Sequence, residues 1–102
     1  MAEQTETDSL KAGGTRYVQS GDADATMAGD RAAIFHRGTQ SAVTLNPSGT
    51  LLWNSLTTPQ SADELSSFLM GRFPMVSEEQ AAKDVEAFLA ELLSHNLLQQ
   101  TD

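Results

Sequence analysis

The sequence predicts an α+β domain in which a three-stranded antiparallel sheet precedes three helices. Three observations carry this reading. Short strand-forming segments separated by glycine-bearing turns fill residues 25–45, and every clear helical pattern lies after them. Two serine capping boxes, Ser61-Ala62-Asp63-Glu64 and Ser77-Glu78-Glu79-Gln80, each open a helical stretch after a proline-bearing break. The stretch 42–56, AVTLNPSGTLLWNSL, joins the last strand to the first helix within four residues. Strands gathered ahead of helices, not alternating with them, put the helices on one face of a small sheet.

Taken in order, residues 1–15 are polar, with Leu10 their only large aliphatic side chain after the first methionine, and read as a flexible tail ahead of a domain over residues 16–102. Tyr17 and Val18 suit a short extended piece, and residues 20–24, Ser-Gly-Asp-Ala-Asp, a turn or loop. Residues 25–28 form a weak strand candidate around Met27, because alanine does not favour strands. After Gly29-Asp30 comes a better strand over 31–37, centred on Ile34 and Phe35, and Gly38-Thr39-Gln40 turns the chain into the strand 41–45. Asn46 is placed to cap the first helix, and Pro47 suits its first turn, where a missing N–H costs nothing. That helix runs to about Leu56, with Leu51, Leu52 and Trp53 on its apolar face, and Pro59 stops it. The second helix turns Leu65, Phe68 and Leu69 inward and ends at about Phe73, before Pro74. The third repeats Ala81, Val85, Phe88, Leu89, Leu92 and Leu93 at helical spacing with acids outside, after Val76 placed to staple onto Ala81. Asn96 suits a left-handed stop that folds Leu97 and Leu98 back onto the core.

At 102 residues the chain makes one domain with a modest core. It has no cysteine, which excludes disulfides, thiolate chemistry and cysteine-held zinc, and suits a reducing cytoplasm. No run nears the ~18 apolar residues of a membrane span, and the acidic start MAEQTETDSL is the reverse of a signal peptide. The net charge of −8 is uneven: residues 1–30 hold six acids and two bases, 31–60 two bases and no acid, and 61–102 eight acids and two bases. The scattered bases Lys11, Arg16, Arg31, Arg37, Arg72 and Lys83 make no stripe for phosphates.

Catalytic patterns are missing from the sequence. The two histidines are His36, in a strand, and His95, at a helix end where the dipole favours it, and no Ser-x-x-Lys pattern, phosphate loop, serine elbow or dinucleotide fingerprint occurs. Asp22, Asp24 and Asp30 fail the EF-hand spacing, since Thr26 and Ala28 stand where oxygen ligands and a glycine belong, so they read as a solvated acidic loop. No cofactor or metal is expected. Binding is better supported: an edge strand at 41–45 offers unpaired N–H and C=O groups to a partner strand. The third helix, carrying Phe88 and Leu92, can wall such a groove, while Val85, Leu89 and Leu92 serve chiefly as core.

The run Leu45-Asn46-Pro47-Ser48-Gly49-Thr50-Leu51-Leu52-Trp53, followed at the right distance by Asp84-Val85-Glu86-Ala87-Phe88-Leu89 and then Leu92 to Leu98, resembles the PqqD-like family, the RiPP recognition elements. The resemblance covers about residues 25–98. It implies a winged helix-turn-helix that binds the leader segment of a ribosomally made precursor peptide as a fourth strand, against the third strand and third helix. It further implies a partner enzyme to which the peptide is presented, such as a radical-SAM protein, a leader peptidase or a cyclase. Carried onto this chain, the peptide-binding positions are Ser41, Ala42, Val43, Thr44 and Leu45 on the strand and Asp84, Ala87, Phe88 and Glu91 on the helix. The chain departs from the family in its long polar N-terminal tail and in a third helix that is acidic where leader-binding helices often carry bases. The implied role is that of a non-catalytic, cytoplasmic peptide chaperone with neither nucleic acid nor membrane as a partner. The alternatives are a winged-helix DNA-binding regulator and a structural subunit that never meets the precursor. Against the regulator stand five acids between Glu78 and Glu91, faced only by Arg72 and Lys83.

Overall fold

The computed structural model describes residues 15–101. The first two strands are β1 (Arg16–Gln19) and β2 (Ala23–Ala28), followed by β3 (Arg31–His36) and β4 (Ala42–Thr44). The helices α1 (Pro47–Ser55), α2 (Ala62–Arg72) and α3 (Glu78–Ser94) come next, and β5 (Leu98–Thr101) closes the order. β2, β3 and β4 form an antiparallel sheet in that spatial order, and the three helices follow it as the sequence predicts. The expected tail over residues 1–15 lies, except for Thr15, outside the described residues.

Each helix begins where the capping chemistry says it should. Asn46 Oδ1 accepts from Gly49 N–H at 2.7 Å, and Pro47 occupies the first turn of α1. Ser61 Oγ accepts from Glu64 N–H at 3.1 Å while Glu64 Oε1 accepts from Ser61 N–H at 2.8 Å, completing the box of α2. The Ser61 N–H bond, helped by Arg16, holds the Glu64 carboxyl below the usual carboxylate range. That stabilisation is complete above the ordinary glutamate range and is lost as pH falls through the lowered value. The box expected at α3 is only half made. Ser77 Oγ accepts from Gln80 N–H at 3.1 Å, but the Gln80 side chain turns forward and donates to Asp84 Oδ1 at 2.8 Å. Asn96 adopts φ +60°, and Leu97 N–H closes the end of α3 onto Leu92 O at 2.9 Å.

The core lies between the inner face of the sheet and the helices. Ile34, Leu52, Leu56, Leu65, Leu69, Val85, Leu92 and Leu97 are fully buried, and Trp53 retains 4% exposure. Alternation along β3 and β4 buries Ala32, Ile34, Val43 and Leu45 and turns Ala33, Phe35, Ala42 and Thr44 outward, as period two requires.

Three features correct the sequence reading. First, β1 and β5 pair antiparallel from Arg16↔Thr101 to Gln19↔Leu98, a second, two-stranded sheet where only an extended Tyr17–Val18 piece and a folded-back Leu97–Leu98 were expected. β1 also serves the end of α1: Gln19 N–H donates to Leu56 O at 3.0 Å, and Gln19 Nε2 donates at 2.8 Å to Trp53 O, which also accepts from Leu56 N–H. Second, β2 begins at Ala23, inside the expected loop, and pairs with β3 along its whole length. Third, the acids of that region are partnered. Arg37 binds Asp24 at 2.7 Å, reaches Asp22 at 3.8 Å and donates to Gly21 O at 2.6 Å, bracing the turn into β2.

A buried side chain supplies one rung that the sheet lacks. Ala32 N–H donates to Thr50 Oγ1 at 2.9 Å, and Thr50, at 3% exposure, thereby locks α1 to β3. Replacing Thr50 with valine keeps the shape and strands the buried amide. The expected cost is about 1–3 kcal/mol, read from the shift of a denaturant midpoint.

Candidate functional site

β4 is the free edge of the three-stranded sheet, and its hydrogen bonding determines what that edge offers. Leu45 N–H donates to Ala32 O at 2.8 Å and His36 N–H to Ser41 O at 2.9 Å. Antiparallel ladders alternate, so Val43, the Leu45 N–H and the Ser41 C=O face β3, while the Ser41 N–H turns back to Thr39 Oγ1 at 3.3 Å. The N–H and C=O groups of Ala42 and Thr44 therefore point outward, away from the sheet. Both side chains are small and exposed, which leaves that edge accessible to an added strand.

Beside this edge lies a groove of about 400 Å³ between the end of β4 and α3. Thr44, Leu45 and Asn46 form one wall, and Asp84, Ala87, Phe88 and Glu91 the other. Leu52, Leu69, Ser48 and Gly49 line it from α1 and α2, and Arg31 from the start of β3. Positions 84, 87, 88 and 91 share one stripe of α3, which aligns them along that wall. Gly49 permits the close approach of α1: a Cβ there would sit 3.1 Å from Asn46 Oδ1, the atom that caps the helix.

Of the nine residues expected to bind peptide, the structure brings six together in this groove: Thr44, Leu45, Asp84, Ala87, Phe88 and Glu91. Ala42 lies on the same edge through its backbone. Val43 turns its side chain into the core, and Ser41 ends the ladder against His36. Phe88 is 9% exposed, so it forms a wall of the groove more than an exposed anchor. The sequence reading missed Arg31, because only the β3–β4 register brings the start of β3 beside the end of β4. Asn46, Ser48 and Gly49 were legible as a helix start but not as groove lining.

Two other concavities have similar size. One lies between α2 and α3 and includes Tyr17, Val85 and Leu89; the other includes Met27, Leu51 and Phe73. β2, the opposite edge of the sheet, adjoins the second through Met27. The β4 groove sets the outward-facing Thr44 of an edge strand against a helical wall.

His36 has a structural task. Its Nδ1 accepts from Gly38 N–H at 3.0 Å and Thr39 N–H at 3.1 Å, bracing the β3–β4 turn. A Cβ at Gly38 would meet the same imidazole at 3.1 Å. The left-handed residue of that turn is Gln40, at φ +64°. Among the described residues no group of three or more histidine, aspartate or glutamate side chains is arranged to hold a metal ion. No helix among them is long and apolar enough to cross a membrane.

The family model described as coenzyme PQQ synthesis protein D (PqqD) matches residues 31–98, from the start of β3 to the start of β5. No curated protein sequence matches the chain. A solved structure described as TbiB1 in complex with the TbiA(beta) leader peptide superposes with a TM-score of 0.72 at 20% identity, over 80% of this chain and 94% of that one. That likeness establishes a shared fold.

Proposed function

Because the chain belongs to the PqqD family, whose model spans two thirds of it, we propose that it is a non-catalytic peptide chaperone of a RiPP maturation pathway. In this reading the leader segment of a precursor peptide adds as a strand to the open edge of β4, over the groove against α3. The bound leader is then presented to a cytoplasmic modifying enzyme, such as a radical-SAM protein, a leader peptidase or a cyclase. The observation that carries the reading is the outward backbone of Ala42 and Thr44 beside the groove walled by Asp84, Ala87, Phe88 and Glu91. The fold shared with a protein solved in complex with a leader peptide supports it.

Energetics show why the edge needs the groove. Two residues offer four main-chain groups, and at about 0.5–1.5 kcal/mol each they supply roughly 2–6 kcal/mol. Micromolar affinity needs about 8 kcal/mol. One apolar side chain buried against Leu45, Leu52 and Phe88 adds about 1.5–3 kcal/mol and closes most of the gap.

The test is fluorescence anisotropy with labelled halves of a candidate precursor peptide, sought among the genes that flank this chain's own. The leader half should bind near micromolar affinity and the core half should not. Binding of the core half alone, or of neither, contradicts the reading. DNA is the contrasting ligand. The α3 surface carries Glu78, Glu79, Asp84, Glu86 and Glu91 against Lys83, so counterion release gives little affinity for a duplex. A mobility-shift assay at physiological salt with sub-micromolar protein should show no complex; a shifted band would favour a regulator instead.

A further inference from the structure

We infer that the peptide held in the β4 groove is basic along α3, carrying a lysine or arginine two residues from its apolar anchor. This rests on the strand-addition reading and adds the chemistry of the ligand to it. The helical wall presents two carboxylates, Asp84 and Glu91, on either side of Phe88. The three ion pairs among the described residues lie elsewhere, at Arg16–Glu64 and at Arg37 with Asp22 and Asp24. Gln80 Nε2 fixes Asp84 Oδ1 at 2.8 Å, orienting that carboxylate at the groove. The one base lining the groove, Arg31, belongs to β3, so the charges on the helix wall are both negative. Lys83, the neighbour of Asp84, does not line the groove.

The spacing fits an added strand. Asp84 lies about 6 Å along the helix axis from Phe88, and Glu91 about 4.5 Å on the other side. Same-face residues of a strand are about 6.8 Å apart. An apolar side chain seated at Phe88 therefore places the next same-face residue near one of the two carboxylates. A long cationic side chain spans the remaining offset and keeps its stem on apolar surface. A glutamate or aspartate at that position would meet like charge.

The test is selection of displayed random peptides on the immobilised full chain, run in parallel on the Asp84→Asn/Glu91→Gln variant. Both substitutions are on exposed side chains, and circular dichroism of the variant checks that its fold is kept. Wild-type selection should enrich lysine or arginine two positions from an apolar residue, and the variant should lose that enrichment. A synthesised winner should bind the variant about two- to fivefold more weakly, as expected for one partly screened pair, and should weaken on the wild type as salt is raised. Enrichment of acidic or uncharged peptides that shift the amides of residues 42–45 overturns the inference and leaves strand addition standing. Selection of no peptide, or of peptides that shift only amides elsewhere, overturns strand addition and the inference with it.

Discussion

Replacing Trp53 with alanine is expected to destabilise the domain by about 3–5 kcal/mol, the range for emptying a large aromatic site in a core. Trp53 keeps 4% exposure, sits among Leu52, Leu56 and the rest of the core cluster, and its carbonyl takes the Gln19 amide from β1. Small domains have roughly 5–15 kcal/mol of total stability, so this single change threatens folding at physiological temperature. A urea or guanidinium titration of variant and parent measures it. A loss below about 1 kcal/mol is smaller than any buried aromatic of this size should give, and would mean that Trp53 is free to contact a partner.

The second large effect separates fold from binding within three residues. Thr44→Pro should leave the fold in place, because the N–H it removes points away from β3. It should weaken leader binding about tenfold or more, by deleting a main-chain donor and crowding the added strand. Ala42→Pro should behave alike. Val43→Pro should do the opposite kind of damage, removing the rung to Ile34 and a side chain that is 6% exposed. A destabilisation of about 3 kcal/mol or more is expected there from the lost bond and lost burial together. Thermal melts and anisotropy on the same three proteins distinguish the outcomes. If Thr44→Pro unfolds the domain while Val43→Pro does not, the register of β4 is reversed.

The parts of this fold that were legible in the sequence are those whose causes are local. Asn46, Ser61 and Ser77 announce helix starts through side chains that bond amides three residues away, and Asn96 announces a stop through its tolerance of positive φ. The 81–92 stripe is periodic, and it buried the face it predicts. Long-range causes were not legible. The β1–β5 pair joins two short strands at opposite ends of the described chain, and Leu-Gln-Gln-Thr carries no alternation that marks it as a strand. Ala23 and Asp24 look like loop residues until Arg37 arrives from β3 to bind Asp24 and Gly21 O. Thr50 reads as an ordinary helical residue, because its partner, Ala32 N–H, is defined only once β3 packs on α1. The groove divides the same way: the family resemblance pointed to Asp84, Ala87, Phe88 and Glu91, a flank that periodicity alone does not single out, whereas Arg31 needed the sheet register.

The central claim is that a leader peptide joins the sheet at the open edge of β4. An amide chemical-shift titration of the labelled protein with the leader tests it most directly, combined with hydrogen exchange of the complex. Strand addition predicts that the perturbed amides lie in residues 41–45 and on the face of α3 bearing Asp84, Ala87, Phe88 and Glu91. It also predicts that the Ala42 and Thr44 N–H groups, open in the free protein, become protected in the complex. Perturbations confined to β2 at the opposite edge, or to the cleft between α2 and α3, with Ala42 and Thr44 still exchanging freely, would contradict it.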